Sequence, residues 1–176
     1  VDVRDGTLRS LRDQVGYVPQ ETVVFADTVR ANIACGASLA DGAVEAAAME
    51  SNAHLWIDRL PNGYEAILTQ GGGGLSGGER QRLGIARALA RGARMLILDE
   101  ATSALDAEND ALLQEAFARA LGRDRIGVLI SHRMSTIRWA DRVVVLDRGR
   151  VVEEGPPDEL LRRGGRFARL CELQAA

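Results

Sequence analysis

The chain has 176 residues, the length of one ordinary domain. It is 46% hydrophobic and 27% charged with a formal net charge of -3, which excludes a disordered or fibrous protein and argues against nucleic acid as a partner. No apolar run approaches the ~20 residues that cross a bilayer, the opening Val1-Asp2-Val3-Arg4-Asp5 does not read as a signal peptide, and the distant Cys35 and Cys171 read as free thiols.

The first element in chain order is Val15-Gly16-Tyr17-Val18, a short strand halted by Pro19 with Gln20 behind it. From Asp27 to about Leu60 the pattern turns helical. Thr28 to Ala34 reads as a turn or short helix and Leu39 to Met49 as an Ala-rich helix, while Ser51 to Leu60 places Leu55, Trp56 and Leu60 at helical spacing. Pro61-Asn62-Gly63 is a break. Gly71 to Gly74 reads as a flexible loop leading to Leu75-Ser76-Gly77-Gly78-Glu79, and a helix is expected from about Gly78 to Arg91. Its arginines (Arg80, Arg82, Arg87, Arg91) are spread around it and are expected to be mostly solvated or paired.

A buried strand follows at Met95 to Ile97 and their neighbours, ending at Asp99-Glu100; a helix is predicted from Ala107 to Leu121. Ile126 to Ile130 is a second wholly apolar strand, ending at Ser131-His132, and Met134 to Trp139 a short helix. Arg142 to Asp147 and Arg150 to Glu153 predict a hairpin around Arg148-Gly149, and Pro156-Pro157-Asp158-Glu159 opens a helical tail. Apolar strands separated by helices indicate an α/β domain with parallel central strands covered on both faces. The helical stretch from 27 to 70 departs from that alternation and reads as an inserted subdomain.

Asp99 and Glu100 should emerge at the carboxyl end of their strand, where open α/β sheets bind ligands. On an extended backbone the two side chains point to different sides, so one can face a magnesium ion and the other an attacking water. Two further strands should deliver Gln20 and Ser131-His132 to the same edge. Ser76 with Glu79 fits a capping box opening a helix, and the two glycines between them leave backbone N–H groups open to an anion, each such helix-terminus contribution being about 0.3–1 kcal/mol. The chain contains no lysine, all 22 basic residues being arginine. A phosphate loop of the form G-x-x-x-x-G-K-[ST] therefore does not occur in it.

These residues carry a family resemblance. Leu75-Ser76-Gly77-Gly78-Glu79-Arg80-Gln81-Arg82 resembles the signature motif of ABC transporter nucleotide-binding domains, with Glu79 where Gln is usual, and Met95 to Glu100 resembles their Walker B strand. Ser103-Ala104-Leu105-Asp106 resembles the D-loop, His132 the switch histidine and Gln20 the Q-loop glutamine, while Val18 to Ile33 resembles exporter-type members. The resemblance implies a P-loop NTPase-like, mostly parallel sheet flanked by helices, with a helical subdomain carrying the signature. It implies a division into a Q-loop region (1–26), helical subdomain and signature helix (27–92), Walker B to switch-histidine core (93–155) and helical tail (156–176).

The implied cofactors are ATP and Mg2+. Asp99 would help hold magnesium, with Gln20 sensing it and linking the site to a membrane domain. Glu100 would act as general base, and His132 would contact the γ-phosphate. Ser76, Gly77, Gly78 and Glu79 would meet the ATP held by a second nucleotide-binding domain, identical or not, and Asp106 would cross the same interface. The implied partners are that second domain and a transmembrane domain on the same or a separate chain, and the implied place is the cytoplasmic face of the cell membrane. The chain resembles the last three-quarters of such a domain, starting after the phosphate loop, so in isolation it is expected to bind ATP poorly and to aggregate or dimerise. Exporters usually carry Glu-Arg-Gly before the signature, where this chain has Gln70-Gly71-Gly72. The alternatives are a non-catalytic interaction module and a non-transport ATPase of the same superfamily.

Overall fold

The computed structural model describes residues 2–100, 107–122 and 125–175, in two compact units, 1–130 and 131–176. The first unit is built on a parallel sheet in the order β1 (Val15–Val18), β2 (Met95–Asp99), β3 (Ile126–Ile130). Tyr17 pairs with Ile97, and Asp99 with Ile130, so the carboxyl ends of all three strands share one edge. Among the described residues no helix is long and apolar enough to cross a membrane.

Around the sheet run α1 (Leu8–Asp13), α2 (Val29–Ala34), α3 (Ala43–Glu50), α4 (His54–Ile57), α5 (Gly77–Ala90) and α6 (Ala107–Leu121). The α3 helix starts four residues later than its alanine pattern implies, because Gly42 sits at φ +77°, a left-handed residue that ends the preceding turn. The α4 segment is a single turn that buries Trp56 and Ile57 and leaves Leu55 exposed, so helical spacing misassigned one contact. Helix α5 serves two apolar clusters. Ile85 and Leu89 join Val18, Leu96, Leu98, Leu113 and Phe117 under the sheet, and Leu83 joins Val24, Ile33, Trp56 and Ile57 among the short helices.

The sheet is covered on one face only among the described residues. Val18 and Leu98 are buried, whereas Tyr17, Val128 and Ile130 on the opposite face are exposed. The covered face requires close approach. A Cβ on Gly16 would lie 2.8 Å from the Ala88 Cβ, and one on Gly127 would meet Leu121 at 2.4 Å. The glycine run before α5 is also tighter than a slack loop. Gly71 N–H donates to the Val24 carbonyl at 3.0 Å, and Gly72 sits at φ +71° where a Cβ would meet Val24 at 2.9 Å.

In the second unit β4 (Val143–Asp147) and β5 (Arg150–Gly155) form an antiparallel hairpin, followed by α8 (Pro157–Arg163) and α9 (Arg166–Ala175); α7 (Met134–Ile137) precedes it. Arg148 and Gly149 both have positive φ, 49° and 74°, the pattern of a two-residue turn matched to strand twist. Val145, Leu160 and Phe167 form the core. Glu153 reaches from β5 to the start of α9 and accepts hydrogen bonds from Arg166 N–H (2.7 Å) and Phe167 N–H (2.9 Å). Those two amides, the Phe167 one foremost, hold its carboxyl below the usual glutamate range.

A depressed folded-state pKa contributes stability that is present above the unfolded value of about 4.3 and is lost as pH falls through the folded value. The Phe167 amide should therefore be better protected from exchange in the native chain than in Glu153→Gln at pH 7, and the ratio should approach one as the pH falls below 4. A ratio independent of pH would remove Glu153 from that cap.

Candidate functional site

The carboxyl edge of the sheet brings together three of the residues singled out from the sequence. Gln20 lies two residues beyond β1, and its side-chain N–H donates to Glu100 Oε2 at 3.0 Å. Asp99 closes β2, and its Oδ2 accepts the Tyr17 hydroxyl at 2.8 Å. The two carboxylates are separated by a turn rather than by strand alternation. Glu100 sits at φ +48°, a left-handed conformation uncommon for a residue with a side chain, and its N–H donates to the Ile130 carbonyl at 2.8 Å. Such backbone strain concentrates at functional sites. The hydrogen bond to Asp99, burial and the carboxylate's charge together raise the Tyr17 phenol above its ordinary range.

His132 belongs to the second unit, where its side chain is exposed and its carbonyl accepts from the Gln174 amide of α9. Gln174 also accepts from Met134 N–H at 3.2 Å, so α9 holds the histidine's loop on both sides. Asp106, with Ser103 to Leu105, lies outside the described residues.

The Ser76 turn is exposed and forms the expected capping box. Ser76 Oγ accepts from Glu79 N–H at 3.2 Å, and Glu79 Oε2 accepts from Ser76 N–H at 2.7 Å. The Glu79 carboxylate is thereby committed to its own helix, while the N–H groups of Gly77 and Gly78, the first two of α5, have no intrahelical acceptor. Gly78 is buried and Gly77 partly exposed. Arg80 fastens the turn by donating to the Leu75 carbonyl at 2.6 Å.

The other arginines expected along this helix, solvated or paired, differ in exposure. Arg91 is exposed, 3.9 Å from Asp13, but Arg82 is 4% exposed. Arg87 is partly buried. It donates to the carbonyls of Asn32 (2.8 Å) and Val23 (3.0 Å), and lies over the Phe25 ring at 5.4 Å. Burial pushes its pKa down. Neither Arg87 nor Tyr17 was among the sequence candidates. The spacing of Arg87 says nothing of the loop it reaches, and the partner of Tyr17 depends on strand register.

Between the Gln20 segment and the start of α5 lies a groove of about 760 Å³, lined among others by Gln20, Thr22, Gln70, Arg80 and Gln81. Thr22 Oγ1 and Gln81 Oε1 are buried there without a hydrogen-bond partner among the described residues. The residues before the signature form its wall, Gln70 Oε1 accepting from Ala26 N–H at 3.3 Å.

Comparison with known proteins adds the following. The sequence pattern described as ABC transporter matches residues 1–103. The chain is 50% identical over 174 residues to the ATP-dependent lipid A-core flippase of Syntrophus aciditrophicus (strain SB), covering 98% of this chain and 29% of the flippase. It is 43% identical over 175 residues to P-glycoprotein 14 of Caenorhabditis elegans, covering 98% of this chain and 13% of that protein. A solved bacterial Atm1-family ABC exporter with ATP bound superposes with a TM-score of 0.88 at 42% identity, over 97% of this chain and 30% of the exporter. The chain thus spans less than a third of the length of the relatives it matches.

Proposed function

The chain belongs to the ABC transporter family, and from that premise we propose that it is the part of an exporter that binds and hydrolyses ATP at the cytoplasmic face of the cell membrane. The observation that carries this reading is the pairing of Gln20 with Glu100 beside Asp99, at the strand edge where α/β sheets bind ligands. Residues 1–26 supply the Q-loop region, 27–92 the helical part with the signature, 93–155 the core with the carboxylates and switch histidine, and 156–176 the tail.

The donor set suits a hard divalent cation. Asp99 Oδ1 and the Gln20 amide oxygen carry no hydrogen bond among the described residues, and both are oxygen ligands of the kind magnesium takes. Bound ATP with magnesium supplies the phosphoryl group and the charge-neutralising cation. Asp99 and Gln20 would hold the metal side, Glu100 would take the proton of the attacking water, and His132 would hold that water and the γ-phosphate. Asp106 would cross the interface to the second subunit.

Among the described residues the Ser76 turn shares no hydrogen bond with this cluster, which favours its serving nucleotide held by a second copy or a related subunit, with the Gly77 and Gly78 amides as phosphate donors. The groove beside Gln20, walled by Gln70 and Arg80, would receive a transmembrane domain, on the same chain or another, and would carry the state of the site to it.

The turn's assignment has a direct test. Gly77→Asp in the full-length protein puts a carboxylate at the donor amides, so ATP-driven closure of the two nucleotide-binding domains should be lost, while ATP affinity in the open state stays within about twofold. Unchanged closure, read by cross-linking, would detach the turn from the second nucleotide.

A further inference from the structure

Strand β1 extends the Tyr17 hydroxyl to Asp99. Tyr17 pairs in register with Ile97, so parallel pleating puts its side chain on the same sheet face as Asp99, two residues further along. That face is uncovered among the described residues. Tyr17 is 55% exposed and belongs to none of the buried clusters among the described residues. What orients it is the 2.8 Å hydrogen bond to Asp99 Oδ2. Oδ1 of the same carboxylate has no hydrogen bond among the described residues.

We propose that Tyr17 is a positioning residue for Asp99: by donating to one carboxylate oxygen it fixes the plane of the group and presents the other oxygen to a divalent cation. The proposal rests on the reading of Asp99 as the metal-side carboxylate. A carboxylate on a short side chain can turn about its terminal torsion, whose wells are broad. A phenol carried on the paired strand, with only two side-chain torsions of its own, restricts that freedom once the hydrogen bond forms. Hydrogen bonds from such outer partners typically govern metal affinity by 10- to 100-fold, and the exposed, single contact here belongs at the lower end.

The test uses the full-length protein with a non-hydrolysable ATP analogue, titrated with Mn2+ and followed by the electron paramagnetic resonance signal of the free ion. Tyr17→Phe keeps the ring and removes the hydroxyl, so the apparent Mn2+ dissociation constant should rise about tenfold while affinity for the analogue in EDTA stays the same. An Mn2+ constant within twofold of the parent would overturn the proposal. A matching loss of metal-free nucleotide affinity would also overturn it, because the hydroxyl would then serve the fold rather than the carboxylate. Asp99→Asn, run in parallel, separates the two readings. If it weakens Mn2+ binding and Tyr17→Phe does not, only the positioning role falls; if neither variant changes Mn2+ binding, the metal-side reading of Asp99 falls with it.

Discussion

Glu100→Gln in the full-length protein should lower ATP turnover by ~10²- to 10⁴-fold, the range a positioned general base contributes, while ATP-driven pairing of the subunits persists. The amide matches the carboxylate in volume and keeps an oxygen to accept from Gln20, which donates to Glu100 Oε2 at 3.0 Å. It lacks the basicity to take a proton from water. The left-handed backbone at Glu100 is unchanged by the substitution, so the turn that separates it from Asp99 should survive. Phosphate release at saturating ATP measures the first effect and size-exclusion chromatography with ATP the second. Turnover within tenfold of the parent would take Glu100 out of the base role. Loss of pairing would show that its charge holds the closed state as well.

Arg87→Met should loosen the joint between the segment after Gln20 and helix α5. Met matches the aliphatic stem and removes the fork that donates to the Asn32 and Val23 carbonyls, together with a longer contact of 3.4 Å to Asn32 Oδ1. Asn32 is 1% exposed and itself accepts from Phe25 N–H at 2.9 Å and donates to the Phe25 and Thr28 carbonyls, so the arginine closes a partly buried network. Hydrogen bonds to a charged group are worth about 1.5–3 kcal/mol, and unsatisfied buried acceptors add to the loss. A local cost of about 3 kcal/mol follows, or roughly a hundredfold faster amide exchange in α2 and the first turns of α5. Because Asn32 and Arg87 share partners, Asn32→Ala combined with Arg87→Met should cost less than the two separately. Additive costs would mean that the two side chains stabilise the region independently.

Much of the layout was legible before any coordinates. The strand at Val15–Val18, the helix at Ala107–Leu121, the strand at Ile126–Ile130 and the Ser76–Glu79 cap all fall where composition and spacing place them. Local chemistry controls these: β-rich runs ended by Pro19 or by Ser131-His132, and a serine three residues before a glutamate. The family was legible too, since its motifs are contiguous strings whose order survives in one dimension. The short helices between 35 and 60 were less so, because alanine supports a helix without saying where it starts, and the left-handed Gly42 and Asn52 decide that locally.

The sequence by itself determined the kind of domain, the motifs proposed to carry its chemistry and the absence of lysine from their company. The tertiary structure decided which of them meet. It set Gln20 against Glu100 and Tyr17 against Asp99, turned Glu100 out of the strand, and drew Arg87 from an outwardly charged helix into a partly buried link. The reason is physical. Propensity and capping act over a few neighbouring bonds, whereas the register of parallel strands about 80 residues apart is set by packing and hydrogen bonding across the whole sheet, which no local pattern records.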